Sequence, residues 1–323
     1  MKRTFIILAA LFFFLVAAVK YAEVHSVFHR RLTVGVIYMN DNSFSPWYRE
    51  NIKSITDTMS ADGVSTISYA ARTREEQIRA VRYCVRQKVD AVVVMPIESS
   101  GWDTVLNDCR LSGIPVITVD CNINAADSSL VTLQIAKDAR KDGQTLFTIM
   151  NDFVKTAAPP KKDGKNYNIA MLLGIAGVNN TEEQRNGFFD AMLFSPDMTN
   201  YKIAAEEYAN YQCDNAYNAA KTVLTREKNK IDIICAQNDE MALGAVAAIQ
   251  DAGLVPGKDV LVFSVDGLEE TRKATEQGFI NGFVSNPPHY GQAVKQAIIA
   301  VLDKQSTMLN RSAGSRTFAA ETK

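Results

Sequence analysis

From residue 32 onward the chain alternates short apolar runs with longer amphipathic stretches, and it does so in two successive series. Nothing else in the sequence restricts the fold as strongly. Thr33–Tyr38, Val64–Ala70, Asp90–Met95 and Pro115–Val119 read as strands. Between them Pro46–Ala61, Thr73–Gln87 and Ser100–Leu111 carry helical periodicity. Parallel strands need a crossover connection, normally a helix, so this rhythm predicts a doubly wound parallel sheet. A strand at Leu130–Gln134 and a helix at Ala136–Phe153 lead to a polar loop, Thr156–Gly164, after which the rhythm restarts. The second series has strands at Asn168–Leu173, Lys202–Tyr208, Ile231–Cys235, Val260–Val265 and Phe279–Val284. Its helices are Glu182–Phe194, Asp214–Arg226, one opening at Asp239, and Glu269–Gln277, with a last helix at His289–Lys304. The expected fold is α/β: two doubly wound parallel-sheet lobes with a cleft between the carboxyl edges of their sheets.

Lys2 and Arg3 precede an apolar run from Phe5 to Val19, closed by Lys20. A basic start and an apolar stretch of that length read as a secretory signal, either cleaved or kept as a signal anchor. The run is short of the roughly 20 residues of a membrane span. A lipoprotein is excluded, because no cysteine stands before Cys84. The body from about Leu32 is therefore expected outside the cytoplasm, in the periplasm or at the cell surface. With 35 basic and 36 acidic residues, and neither sign clustered, no nucleic-acid surface is expected. Cys84, Cys109, Cys121, Cys213 and Cys235 form no CxxC spacing, so no zinc or redox motif is read. A Cys84–Cys109 bridge and buried free thiols are the two readings left.

Catalysis finds no support. His25, His29 and His289 form no metal-spaced cluster. No nucleophile elbow, Walker loop or dinucleotide fingerprint is present. The informative positions are instead where strands run into polar turns. Asp120 follows Val116–Val119 and Asp266 follows Val260–Val265, so both carboxylates project toward the cleft. Asn238 stands between a buried strand and the helix of Ala236–Ala245, either as a helix N-cap or as a ligand contact. The same pair of readings applies to Asp266.

In order and spacing these pieces resemble the type I periplasmic solute-binding proteins of the ribose-binding group, whose domain also serves lactose-repressor-type regulators. The likeness runs from Leu32 to about Gln305. It rests on Asn42-Ser43-Phe44, Ile114–Asp120, Gly174-Ile175-Ala176-Gly177, Arg185-Asn186-Gly187-Phe188, Asn210-Tyr211, Ala236–Ala245 and Phe263–Gly267. The export segment stands where a repressor carries its helix-turn-helix, which excludes a repressor. The resemblance implies three chain crossings, near Gln134–Ile135, Val284–Pro287 and after Gln305. It divides the chain into residues 32–134 with 287–313 and residues 135–286 with 314–323. It implies sugar contacts from Asn42, Asp120, Arg185, Asn238, Asp266 and Asn286, with Phe44 and Tyr211 as stacking aromatics. It implies no cofactor, no metal and no enzyme activity.

Four departures limit the likeness to ribose binders. Met95 replaces a polar strand end, and Cys121 replaces the arginine after Asp120. Gln184 stands where the family has a second arginine, with Arg185 one position later, and Ser45 replaces the second loop aromatic, with Trp47 close by. Two lost arginine forks remove the strongest, charge-assisted bonds. The expected function is capture of a monosaccharide-like ligand by hinge closure and delivery to an ABC importer. The alternative is a membrane-tethered sugar-sensing subunit that presents its ligand state to a sensor kinase or chemoreceptor.

Overall fold

The computed structural model describes residues 32–39, 45–157, 159–227 and 230–303, together with the strands at 311–313 and 316–319. The apolar segment 5–19 and the first-loop residues Asn42 and Phe44 lie outside the described residues. The elements of the first series are β1 (Thr33–Met39), α1 (Pro46–Ala61), β2 (Ser65–Ala71), α2 (Arg74–Arg86), β3 (Ala91–Val94), α3 (Asp103–Leu111), β4 (Val116–Asp120) and β5 (Leu133–Lys137). Then follow α4 (Ala139–Ala157), β6 (Tyr167–Leu173), α5 (Asn179–Leu193), β7 (Tyr201–Tyr208), α6 (Cys213–Arg226), β8 (Ile233–Ala236), α7 (Asp239–Asp251), β9 (Leu261–Asp266), α8 (Glu269–Glu276) and β10 (Gly282–Ser285). The chain closes with α9 (Gly291–Leu302), β11 (Arg311–Ala313) and β12 (Arg316–Ala319).

These elements form two sheets of like order: β2-β1-β3-β4-β5-β11 and β7-β6-β8-β9-β10-β12. Every pairing is parallel except β12, which runs antiparallel to β10. Apolar side chains fill both faces of each sheet, as parallel sheets require. In the first lobe α1 and α9 cover one face and α2 and α3 the other. In the second lobe α6 and α7 cover one face and α4 and α5 the other. The chain leaves the first sheet after Lys137, returns between Ser285 and Gly291, and crosses again between Ala313 and Arg316.

Helices pack closely where glycine removes a side chain. A Cβ on Gly143 would fall 1.9 Å from the Gln184 carbonyl oxygen, and one on Gly187 would fall 1.9 Å from that of Arg140. The pair lets α4 and α5 touch backbone to backbone.

Three boundaries differ from the sequence expectation in ways that matter. Leu130 belongs to a short 3-10 turn, because Asp127 accepts a hydrogen bond from the Ser129 N–H at 2.9 Å and starts that turn. The strand is thereby delayed to Leu133–Lys137, and Asp138 caps the next helix by accepting from the Lys141 N–H at 2.9 Å. α5 begins at Asn179 rather than Glu182, which brings Asn180 and Thr181 into its first turn. All five cysteines are free thiols, with Cys84 and Cys109 buried between α2, α3 and the sheet.

Candidate ligand-binding site

Corresponding corners of the two sheets build the cleft. β4 and β9 are the fourth strands of their sheets, and they end at Asp120 and Asp266. Both aspartates have positive φ, 68° and 112°. Such backbone costs on the order of 1–3 kcal/mol per residue and persists where the surroundings over-determine it. Of the five described non-glycine residues with positive φ, three line this cleft, Asp120, Tyr211 and Asp266, and a fourth, Asn210, directly precedes Tyr211. Register extends the correspondence. Asp120 pairs with Ala136, so Lys137 stands one residue further on β5; Asp266 pairs with Ser285, so Asn286 stands one residue beyond β10. Lys137 and Asn286 are therefore equivalent positions of the two lobes.

Between the lobes lies a cavity of about 80 Å³. Trp47 and Met95 from the first lobe, with Ile175 and Val178 from the second, supply its apolar wall. Asp120, Lys137, Asn180, Tyr211, Asn238 and Asp266 supply its polar one. The Asn180 amide donates to the Asp120 carboxylate at 3.3 Å and to its carbonyl at 3.2 Å, a contact that crosses the cleft. The Lys137 ammonium lies 3.9 Å from Asp266 Oδ1, again across the cleft, and 5.3 Å from the centre of the Trp47 ring. Trp47 in turn donates its indole N–H to the Asn286 carbonyl at 2.5 Å.

Burial pushes the Asp120 and Asp266 carboxyls above their ordinary range, and Lys137 pulls both back. Burial alone would lower Lys137, but Asp266 and then Asp120 more than offset it, so its ammonium stays charged. Burial likewise raises the Tyr211 phenol and the Cys121 thiol beside Asp120. Asp266 Oδ1 accepts no hydrogen bond among the described residues, and the Asn286 amide, 1% exposed, makes none there either. Buried polar atoms in native folds almost always find partners. A cleft with a donor, a carboxylate and an amide left over is shaped for a ligand, or for the water that fills its place.

The residues expected from sequence fall into distinct groups. Asp120, Tyr211, Asn238 and Asp266 line the cleft. Asn238 does so while capping α7: its Oδ1 accepts from the Met241 N–H at 3.0 Å and its amide donates to the Tyr211 carbonyl at 3.3 Å. The two readings of Asn238 are thus one geometry. The Tyr211 ring lies on Gly174, where any Cβ would stand 2.0 Å from a ring carbon, and its hydroxyl is 2.8 Å from Thr181 Oγ1. Asn286 holds the wall through its main chain, its N–H donating to the Asp266 carbonyl at 2.8 Å.

Arg185 is not brought to the cleft. Its guanidinium grips Glu206 through two bonds of 2.6 and 2.8 Å and lies over the Phe189 ring. Successive residues on a helix point about 100° apart, and the inward place belongs to Gln184, 1% exposed, whose amide donates to the Gln237 carbonyl at 3.4 Å. Sequence reasoning missed Lys137 and Asn180. The rule that found Asp120 and Asp266, a polar residue ending an apolar strand, also finds Lys137 once β5 is extended to its true end.

Two doubly wound lobes over a shared cleft define the architecture of a type I periplasmic binding protein. The chain belongs to the periplasmic binding protein domain family, whose model matches residues 34–306. It is 29% identical over 278 residues to the galactofuranose-binding protein YtfQ of Escherichia coli K12, covering 85% of this chain and 83% of that one. Among solved structures it resembles the binding component of the Shewanella sp. ANA-3 arabinose ABC transporter, bound to α- and β-L-arabinofuranose. That likeness has a TM-score of 0.81 and 30% identity over 90% of this chain and 92% of that one. A Mycobacterium smegmatis protein in complex with β-D-fucofuranose also has a TM-score of 0.81, at 26% identity over 90% of this chain and 91% of that one.

Proposed function

We propose that this chain is an exported receptor that closes on a neutral monosaccharide in furanose form and presents it to an ABC importer. The observation that carries the reading is the facing of Asp120 and Asp266 from equivalent strand ends across one partly apolar cavity. A sugar offers hydroxyls that both donate and accept, on a ring with apolar faces. Carboxylates and amides match the hydroxyls, and Trp47 matches the ring. Asn42 and Phe44, in the loop before Trp47, are proposed to complete that wall, with Tyr211 and Asn238 opposite. The furanose form is favoured because galactofuranose, arabinofuranose and β-D-fucofuranose are named for the three relatives described above. No observation favours the tethered sensor over delivery to an importer.

The test is a thermal-unfolding screen of the exported protein against L-arabinose, D-galactose, D-fucose, D-ribose and myo-inositol. A ligand of the native state stabilises it by mass action, about 2.7 kcal/mol at a hundredfold excess over Kd. The expected result is a saturable rise in Tm with at least one of the aldoses arabinose, galactose or fucose. A folded protein with an unchanged Tm across the panel rejects the reading.

A further inference from the structure

Lys137 has no place in the expectations above, yet it is the single cation among the described residues that line the cavity. Its side chain is 9% exposed, its ammonium lies 5.3 Å from the centre of the Trp47 ring, and it donates no hydrogen bond among the described residues. An ammonium carries three donors and no acceptor. Opposite it, Asp266 Oδ1, on the other lobe, is an acceptor with no hydrogen bond among the described residues. The two atoms are 3.9 Å apart, too far for a direct hydrogen bond.

Resting on the sugar-binding reading, we infer that Lys137 is a ligand-anchoring residue, and that it and Asp266 together hold one ligand hydroxyl across the cleft. An oxygen placed about 2.8 Å from each atom subtends about 90°, close to the angle between a hydroxyl's donor and acceptor directions. The hydroxyl accepts from the Lys137 ammonium and donates to the Asp266 carboxylate. Each lobe contributes one half of the contact, so a single hydroxyl joins them only when the cleft is shut.

Two specificities follow. A sugar without that hydroxyl leaves a buried charge pair without its bridge, which is the kind of loss that discriminates strongly. A sugar acid or sugar phosphate brings an anion beside Asp120 and Asp266, with Lys137 the one cation among the described lining residues to answer two carboxylates and the new charge. The cleft is therefore selective for uncharged polyhydroxylated ligands.

Isothermal titration calorimetry with L-arabinose and D-galactose on wild type, Lys137→Met, Lys137→Arg, Asp266→Asn and the Lys137→Met/Asp266→Asn double variant tests this, with circular dichroism to establish folding. Lys137→Met should weaken binding at least a hundredfold, and Lys137→Arg should restore part of it. The double variant should bind little worse than either single one, because one hydroxyl serves both partners. It also removes both charges together, so it remains informative if Lys137→Met alone does not fold. A folded Lys137→Met protein that binds like wild type, or fully additive losses, overturns the inference while leaving the sugar-binding reading intact. A folded wild type that binds neither these sugars nor any aldose in the thermal screen rejects both. Galacturonate binding as tightly as galactose overturns the charge selectivity.

Discussion

Asp239 has the ordinary look of an acidic residue in the first turn of a helix, but its work is elsewhere. It is 1% exposed, accepts from Ser264 Oγ and from the Leu268 N–H at 2.6 Å each, and so fixes the turn that follows Asp266. Burial pushes its carboxyl up to about 6, against the lowering effect of those two bonds. The neighbouring Glu240 is pushed up to about 7 by burial and by Asp239. An acid whose folded pKa lies above its unfolded value binds its proton more tightly in the native state. Its contribution is thus present at low pH and lost as pH rises, here from about 4 to about 6 for Asp239. Stability should fall over that interval by up to about 3 kcal/mol from Asp239. Asp239→Asn keeps an acceptor for Leu268 and should flatten the dependence. Urea midpoints of both proteins at pH 4.5, 6 and 7.5 measure the difference.

Helix contacts position the site at the next scale. Gly187 and Gly143 allow α5 to press against α4, and the first turn of α5 is what delivers Asn180 to Asp120. Gly187→Ala inserts a methyl group where the Arg140 carbonyl stands 1.9 Å away, so the helices must separate. The expected cost is about 1–3 kcal/mol, read from chemical denaturation, with a weaker thermal response to sugar because Asn180 moves with its helix. Much of this level was legible from sequence. The predicted helix Pro46–Ala61 matches the structure to the residue, since Ser45 caps it and proline stands at its first position. What misled were short polar residues that start turns locally. Asp127 absorbed Leu130 into a turn and Asp138 moved the next helix forward, which hid Lys137 inside a helix that does not begin until Ala139. Arg185 shows the complementary limit: a displacement of one residue is nearly invisible in a motif but turns a side chain about 100° around its axis. The pairing of equivalent strand ends, visible only once register is known, is what connects Lys137 with Asn286.

At the scale of the whole molecule, only one of the two tryptophans faces the cleft. Trp47 touches Lys137 and the Asn286 carbonyl, whereas Trp102 is buried in the first lobe with its indole N–H on the Glu98 carbonyl at 2.7 Å. Ligand-dependent fluorescence should therefore persist in Trp102→Phe and vanish in Trp47→Phe, measured by titration of the sugar that gives the largest thermal shift. Asn180 to Asp120, Lys137 to Asp266 and Trp47 to Asn286 tie the lobes at three points around one cavity.

The crossings also set a timetable for biosynthesis. The first lobe needs α9 for one face of its core, with Val294 and Ile298 fully buried against the sheet, and β11 for the edge beside β5. The second lobe needs β12 beside β10. Chains of several domains commonly fold from the amino end while the rest is still being made. Here the ribosome must pass through the second lobe and reach α9 and β11 before the earliest lobe can be finished, so the first half of the chain waits, unlocked, for the second to be made.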